Sequence, residues 1–409
     1  MPFRSDPRRF VTACYQWLLV GLFALGLFLP LLDWRFDLDH TAELSENRIA
    51  APAPAWPHGV TEWKALPAVL EKYWNDAFGF RRQLIRWHTV ARYELGISAF
   101  PLVAIGRHSW LFYAGEDSFE QYRGLRPFSQ AGLEAWAHEL EARRLWLASR
   151  GAQFLFVIAP DKQSIYADEI PNRYGPRGQT PADQLLPYLR AHTQVSVLDL
   201  REPVHAARAQ GAVYARTDTH WNDLGAFVGY TEIIARLRTW YPKVKARTRA
   251  DFVQLPMPRW NGDLALMLPG LFEVTTDTGD HWKPLFTPAS QELPPSDYSP
   301  PASIKFSSFR GPVDPELPRA IVFHDSFLLS FDERFPAMRV YPQHSMPPPP
   351  ATFRPRLLLS EQFSLSAFTW QSIFDPDLVV RAQPTLVIEE VAERILKNGP
   401  QGTVPIVNP

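Results

Sequence analysis

From Phe10 to Leu32 no charged side chain appears, and the run VTACYQWLLVGLFALGLFLPLL is long enough as a helix to cross a hydrocarbon core roughly 30 Å thick. It is apolar on all faces and flanked by charge, so it predicts a transmembrane helix over residues 10–32 rather than a buried core helix. Arg4, Arg8 and Arg9 precede it and Asp33, Arg35, Asp37 and Asp39 follow, which keeps residues 1–9 on the cytoplasmic side and places the rest of the chain outside. A cleaved signal peptide is the alternative, but its apolar region is usually shorter and no small-x-small cleavage site follows the run.

Beyond the anchor, residues 33–60 turn polar and then Pro-rich (Ala51-Pro52-Ala53-Pro54-Ala55-Trp56-Pro57), the pattern of a spacer leading away from a membrane. Helical periodicity occupies Thr61 to Leu95, broken locally at Gly79, and the β-branched and aromatic stretch Val103 to Gly115 predicts a hairpin. An amphipathic helix is expected over 130–150, with Leu133, Trp136, Ala137, Leu140 and Leu147 facing inward and Gly151 as its stop. The apolar run Phe154 to Ala159 follows at once. Helix then continuous apolar strand marks a parallel sheet covered on both faces. The alternation recurs with a helix near 182–192, a strand Val195 to Leu198, a helix near 222–239, strands at Ala320–Phe323 and Leu386–Ile388, and a helix from Val391 to Lys397. These predict an α/β domain over 61–398. Residues 241–318, rich in Pro, Ser and Thr and weakly periodic, are expected to form a surface insertion, and 399–409 a frayed tail.

Composition narrows the function classes. With 42 Lys+Arg against 43 Asp+Glu the chain of 409 residues carries a net charge of -1, which gives no push toward nucleic acid. The single cysteine, Cys14, falls within the anchor, so the exported part is thiol-free and has neither a disulfide framework nor a cysteine-based zinc site. The 11 His are scattered, with no His-Glu-x-x-His pair, P-loop or dinucleotide fingerprint. No metal or cofactor is therefore expected.

Two fragments carry candidate chemistry. In Thr217-Asp218-Thr219-His220-Trp221-Asn222, a carboxylate two residues from an imidazole could fix the ring tautomer, in a loop before a helix that Asn222 or Asp223 could cap. The competing reading is a helix-capping Asp beside a surface His. In Ile321-Val322-Phe323-His324-Asp325-Ser326-Phe327, Ser326 stands just beyond a buried strand, at the edge where parallel sheets bind ligands. It lies outside any Gly-x-Ser-x-Gly elbow, and strand termination is its alternative role. Lys162 and Tyr166 follow a strand ending at Pro160 and are candidates either for polymer binding at the same edge or for simple capping. Trp221 is a candidate cleft wall or a packing residue. Trp260, Asn261 and Asp263 could reach the cleft or simply make a turn, and the basic run Arg236, Arg238, Lys243, Lys245, Arg247 and Arg249 either attracts a polyuronate or is a solvated face.

Asp-x-His-Trp before a helix, followed about a hundred residues later by strand-Asp-Ser-Phe, resembles the alginate O-acetyltransferases, SGNH-hydrolase-like proteins of bacterial exopolysaccharide machinery. Further matches run in family order: Asn75-Asp76 with Phe78-Gly79-Phe80-Arg81, Gly106 with Trp110-Leu111-Phe112-Tyr113, Pro160 with Lys162 and Ile165-Tyr166, Gly262-Asp263-Leu264, and Glu389-Glu390 with Glu393-Arg394. They span roughly residues 70–396 and imply an SGNH-hydrolase-like three-layer α/β/α sandwich with a mainly parallel sheet behind one N-terminal transmembrane helix. The resemblance implies an O-acetyltransferase in which Asp218, His220 and Ser326 form a triad and an acetyl-serine passes its acyl group to an exopolysaccharide hydroxyl. It further implies an inner-membrane anchor, a periplasmic domain and a multi-pass membrane O-acyltransferase as acyl donor. A carbohydrate acetylesterase of the same fold and a non-catalytic polysaccharide-binding assembly subunit are the alternatives. His324 departs from the small residue, often Gly, that many relatives carry before Asp-Ser, and either changes access to Ser326 or packs.

Overall fold

The computed structural model describes residues 7–36, 38–39, 51–268, 270–271, 277–294, 306–328, 355–371 and 373–404. The start of the predicted cytoplasmic tail, residues 40–50 of the predicted spacer and the last five residues lie outside the described residues. The chain divides into two compact units, one within Met1–Ala99 and Leu266–Val274, the other within Phe100–Ala265 and Thr275–Pro409.

In the first unit the apolar run lies inside one helix, Pro7–Phe36. Its stretch Cys14–Phe36 has 23 residues and a mean hydropathy of 1.9, and at 1.5 Å per residue reaches roughly 34 Å, enough to cross a bilayer. Helices Val60–Ala77 and Arg81–Glu94 follow, separated at the predicted Gly79 break. That glycine is required by contact, because a Cβ there would fall 2.0 Å from the carbonyl oxygen of Pro30. Next to it the Asp33 carboxylate accepts the amide of Phe80 at 2.7 Å.

The second unit begins with the expected hairpin, β1 Val103–Ile105 and β2 Leu111–Tyr113, antiparallel. Its main sheet is built from β3 Gln153–Ala159, β4 Ser196–Asp199, β7 Gln291–Leu293, β8 Phe306–Arg310, β9 Arg319–His324, β10 Leu365–Trp370 and β11 Leu386–Ala392, while β5 Phe252–Trp260 and β6 Asp277–Pro284 pair separately. The order β4-β3-β11-β9-β10-β8-β7 is parallel from β4 through β10 and antiparallel at β8 and β7. Alternation along each strand divides the core into two layers. Leu155, Val157, Val322, Phe368 and Ile388 pack toward Ile233, Ile234 and Leu237, whereas Phe154, Phe156, Phe323, Ala367 and Val387 pack toward Trp136, Leu140, Leu185 and Leu378. Side chains at successive strand positions point to opposite faces, so helices cover both, giving the α/β/α sandwich that the helix–strand alternation predicts.

Three expectations are revised. Residues 241–318, weakly periodic in sequence, supply β5 to β8, two of which extend the main sheet. The helix expected from Val391 does not form: β11 continues through Ala392, and Glu393–Asn398 make a 3₁₀ turn. Two consecutive glutamates are tolerated in that buried strand because each faces a different layer; Glu389 meets Arg143 Nη1 at 2.6 and 2.7 Å. The tail from Gly399 is anchored as far as residue 404, since Arg143 Nη2 also donates to the carbonyls of Gln401 and Gly402.

Candidate active site

Two loops meet at the C-terminal edge of the sheet. The first carries Asp218 and His220, and an isolated bridge between Tyr214 and Trp221 closes its base. Asn222 caps the helix Asp223–Leu237 that follows, its side chain accepting the Gly225 amide at 3.1 Å. The loop is held from outside. The Asp277 carboxylate accepts the amides of Arg216 and Thr217 at 2.9 and 2.8 Å and the Thr217 hydroxyl. On another side, Gly262 donates its amide to Thr217 Oγ1 at 2.8 Å, and Asp263 Oδ1 accepts the Thr219 amide at 2.7 Å. Gly262 approaches so closely that a Cβ would lie 2.5 Å from the Asp218 Cα.

The second loop is the 3₁₀ turn Ser326–Leu328, directly after β9. His220 Nε2 lies 2.8 Å from Ser326 Oγ, and His220 Nδ1 lies 2.8 Å from Asp218 Oδ1. An ionised carboxylate only accepts, so Nδ1 carries the proton and Nε2 is left to accept from the Ser326 hydroxyl. Asp218 and His220 are 1% and 8% exposed, whereas Ser326 is partly open. The Phe327 ring packs edge-on against both His220 and Trp221, with centroids 5.2 Å away in each case. The Ser326 amide has no acceptor among the described residues and is available to a ligand oxyanion. Asp218, His220 and Asp263 also bring three ligand-type atoms within 4.8 Å of one another. Both His220 nitrogens are already engaged with Asp218 and Ser326, however, and that pattern fits a proton relay better than cation binding. Burial raises the Asp263 carboxyl, and the neighbouring Asp218 charge raises it further.

The structure thus unites Asp218, His220 and Ser326, and it revises the groove expected of the other three candidates. Lys162, 2% exposed, donates Nζ to the carbonyls of Leu111 and Arg216 at 2.9 and 3.2 Å. Burial lowers its ammonium to about 8, against the upward pull of Asp218, Asp277 and Asp263. The Tyr166 hydroxyl accepts the Val213 amide at 3.0 Å, and Trp221 Nε1 donates to the Phe327 carbonyl at 2.9 Å. All three side chains are buried and use their polar atoms to hold backbone. Asn261 is buried as well, and the Trp260 side chain lies outside the described residues. Four members of the basic run are spent within the unit: Arg236 on Ser196, Lys243 on Asp314 and Glu316, Arg247 on Glu361, and Arg249 over the Trp282 ring. His324 is fully buried, so its bulk packs into the core and does not stand over Ser326. Asp277 was not foreseen, because an isolated Asp in an aperiodic stretch carries no local signal.

Comparison with known proteins finds one family model and several relatives. The family model described as an SGNH hydrolase-like domain, acetyltransferase AlgX, matches residues 103–284. The probable alginate O-acetylase AlgJ of Pseudomonas putida is 28% identical over 168 residues, which is 40% of this chain and 41% of the relative. That of Azotobacter vinelandii is 30% identical over 169 residues, 40% of each chain. The chain spans between 39% and 49% of the length of the curated relatives it matches. Among solved structures, the O-acetyltransferase domain of Pseudomonas putida AlgJ aligns with a TM-score of 0.44 at 20% identity, covering 74% of this chain and 94% of that one. Bacillus cereus PatB1 with a sulfonyl adduct aligns with a TM-score of 0.46 at 14% identity, covering 73% and 97%. Within this chain, residues 103–284 are the part that matches the family model of an SGNH hydrolase-like acetyltransferase domain.

Proposed function

We propose that this protein is an O-acetyltransferase acting on hydroxyls of an exopolysaccharide, alginate or a similar polymer, in the periplasm and anchored in the inner membrane by its first helix. One observation carries the reading: the continuous relay from Asp218 through His220 to Ser326, with both hydrogen bonds at 2.8 Å. The Ser326 oxygen attacks the donor's acetyl carbonyl while its proton passes to His220 Nε2; collapse of the tetrahedral intermediate breaks the bond to the donor, whose leaving group departs with that proton from His220, and leaves acetyl-Ser326 beside a neutral imidazole. A sugar hydroxyl then loses its proton to His220 and attacks that ester, releasing the acetylated polymer and returning the proton to Ser326. Asp218 holds the imidazole in the required tautomer and stabilises the imidazolium. The Ser326 amide supplies one oxyanion donor. An acyl donor outside the cytoplasm is expected to be a multi-pass membrane O-acyltransferase rather than coenzyme A. The probable alginate O-acetylases among the relatives support the polymer class.

The test incubates the full chain in detergent with a chromogenic acetyl ester, with and without polyuronate, and follows intact mass. A gain of one acetyl group, absent in Ser326→Ala and discharged faster when the polymer is added, is the expected result. An adduct that water discharges equally fast with and without polymer makes the protein an esterase. No adduct in a folded chain, together with normal polymer acetylation by cells carrying Ser326→Ala, overturns the nucleophile.

A further inference from the structure

Asp325 immediately precedes Ser326, and each of its polar atoms is held. Its amide donates to Glu390 Oε2 at 3.1 Å, and its carbonyl accepts from His324 Nδ1 at 2.7 Å. Its carboxylate accepts the Phe327 amide at 2.8 Å on one oxygen and the Ala392 amide at 2.6 Å on the other. Two of these bonds tie the end of β9 to β11, and one closes the turn that begins at Ser326. Glu390 is fully buried, and its Oε1 meets no donor. A carboxylate oxygen left in that state is costly, whereas one that carries a proton is itself a donor. Asp325 already receives two backbone N–H groups, which favour its charged form, and two neighbouring carboxyls in low dielectric do not both ionise.

We propose that Glu390 is kept as the neutral acid and is a positioning residue for Ser326, acting through Asp325 to fix the turn and the direction of the Ser326 amide. Burial and the Asp325 charge raise the Glu390 carboxyl well above its ordinary range, and burial raises Asp325 in the same direction. The charged groups around the pair are Arg394, which lowers both, and Asp161 and Glu393, which lie against Arg394 and Asp161 respectively. Behind them Glu116 pairs with Arg394 and Arg201 with Glu393. Burial lowers His324 to about 3, so its ring stays neutral and its Nδ1–H always donates. A peptide whose carbonyl accepts such a bond has a more polarised N–H, and for the Asp325 carbonyl that N–H belongs to Ser326.

This inference rests on Ser326 as nucleophile, and its test separates the two. The full chain in detergent is titrated with phenylmethanesulfonyl fluoride, and Ser326 labelling is read by intact mass across pH for wild type, Glu390→Gln and Glu390→Leu. Gln keeps an acceptor for the Asp325 amide and an N–H for its carboxylate but cannot ionise. Wild-type labelling should decline at alkaline pH as Glu390 ionises, whereas Glu390→Gln should label at a rate close to wild type near neutrality and lack that decline. Glu390→Leu should label about ten- to a hundredfold more slowly, as expected of a displaced nucleophile. Infrared spectra should show a buried carboxylic-acid carbonyl band in wild type that disappears in Glu390→Gln, a readout that needs no activity. A wild type that labels at Ser326 with both variants equally fast and an unmoved pH profile overturns the positioning role and leaves the proposed function standing. The absence of the band overturns the neutral acid. A folded wild type that takes no label overturns the nucleophile, and the positioning role falls with it.

Discussion

Trp221 Nε1 donates to the carbonyl of Phe327 at 2.9 Å, joining the residue after His220 to the residue after Ser326 across 106 positions of sequence. The bond is buried and links the same two segments as the Ser326–His220 contact. It makes the separation of the two segments a property of packing as well as of the His220–Ser326 contact itself.

Trp221→Phe keeps most of the ring but strands the Phe327 carbonyl, which should cost about 1–3 kcal/mol of stability. Trp221→Ala also opens a cavity where the indole meets Gly229, and should cost about 3–5 kcal/mol. Denaturant titration measures both. Equal stabilities for the two variants would rule out a packing role for the ring.

Asp218→Asn is isosteric, yet it presents an amide N–H or a weaker acceptor to His220 Nδ1 and favours the wrong tautomer. The acylation rate of Ser326 should fall by up to about 10⁴-fold while the melting temperature changes little. A mutant within tenfold of wild type by stopped acylation and mass readout would remove Asp218 from the relay.

Gly262→Ala inserts a methyl 2.5 Å from the Asp218 backbone, where no flexible side chain can yield. Overpacking of this kind costs about 1–3 kcal/mol, and here the displaced atoms belong to the relay. Activity should therefore fall by more than the lost stability accounts for, measured by acylation rate at a temperature well below the melting point. Wild-type rates would mean that the 261–265 turn moves away freely.

The contribution of Asp161 to stability should decline with rising pH through the weakly acid range. Burial raises the Asp161 carboxyl from the usual 3.8 to about 7, with Arg394 pulling it down. Between those values the native state holds a proton that the unfolded chain has released, so stability falls as pH rises and the loss is complete above the folded value. Asp161→Asn keeps an oxygen to accept from Arg394, 2.7 Å away in the native pair, but cannot ionise; calorimetry from about pH 5 to about pH 7.5 should show wild type losing stability relative to Asp161→Asn as the pH rises. An unchanged slope would assign the pH dependence to other groups.

Much of the fold was legible locally. Uninterrupted apolar runs such as Phe154–Ala159 can only be buried on both faces, and a helix ending at a glycine before such a run leaves few alternatives to a parallel sheet. The same local logic failed at residues 391–397, where apolar spacing suits a helix but pairing with β3 extends the strand through Ala392. It failed again over 241–318, where β8 joins β10 through backbone hydrogen bonds that require no periodic side-chain pattern.

The sequence by itself determined the anchor-like first helix, the α/β alternation and the three residue types of the relay, because hydropathy, period and side-chain chemistry are local properties. Only the tertiary structure decided that His220 meets Ser326, that Lys162, Tyr166 and Trp221 are internal ties, and that Asp277, Asp325 and Glu390 hydrogen-bond the backbone of the loops carrying Asp218 and Ser326. Those roles depend on burial and on distances between segments remote in the chain. Burial turns an ordinary Lys or Glu into a group that must find a partner or give up its charge, and nothing in the residue's immediate neighbours announces it.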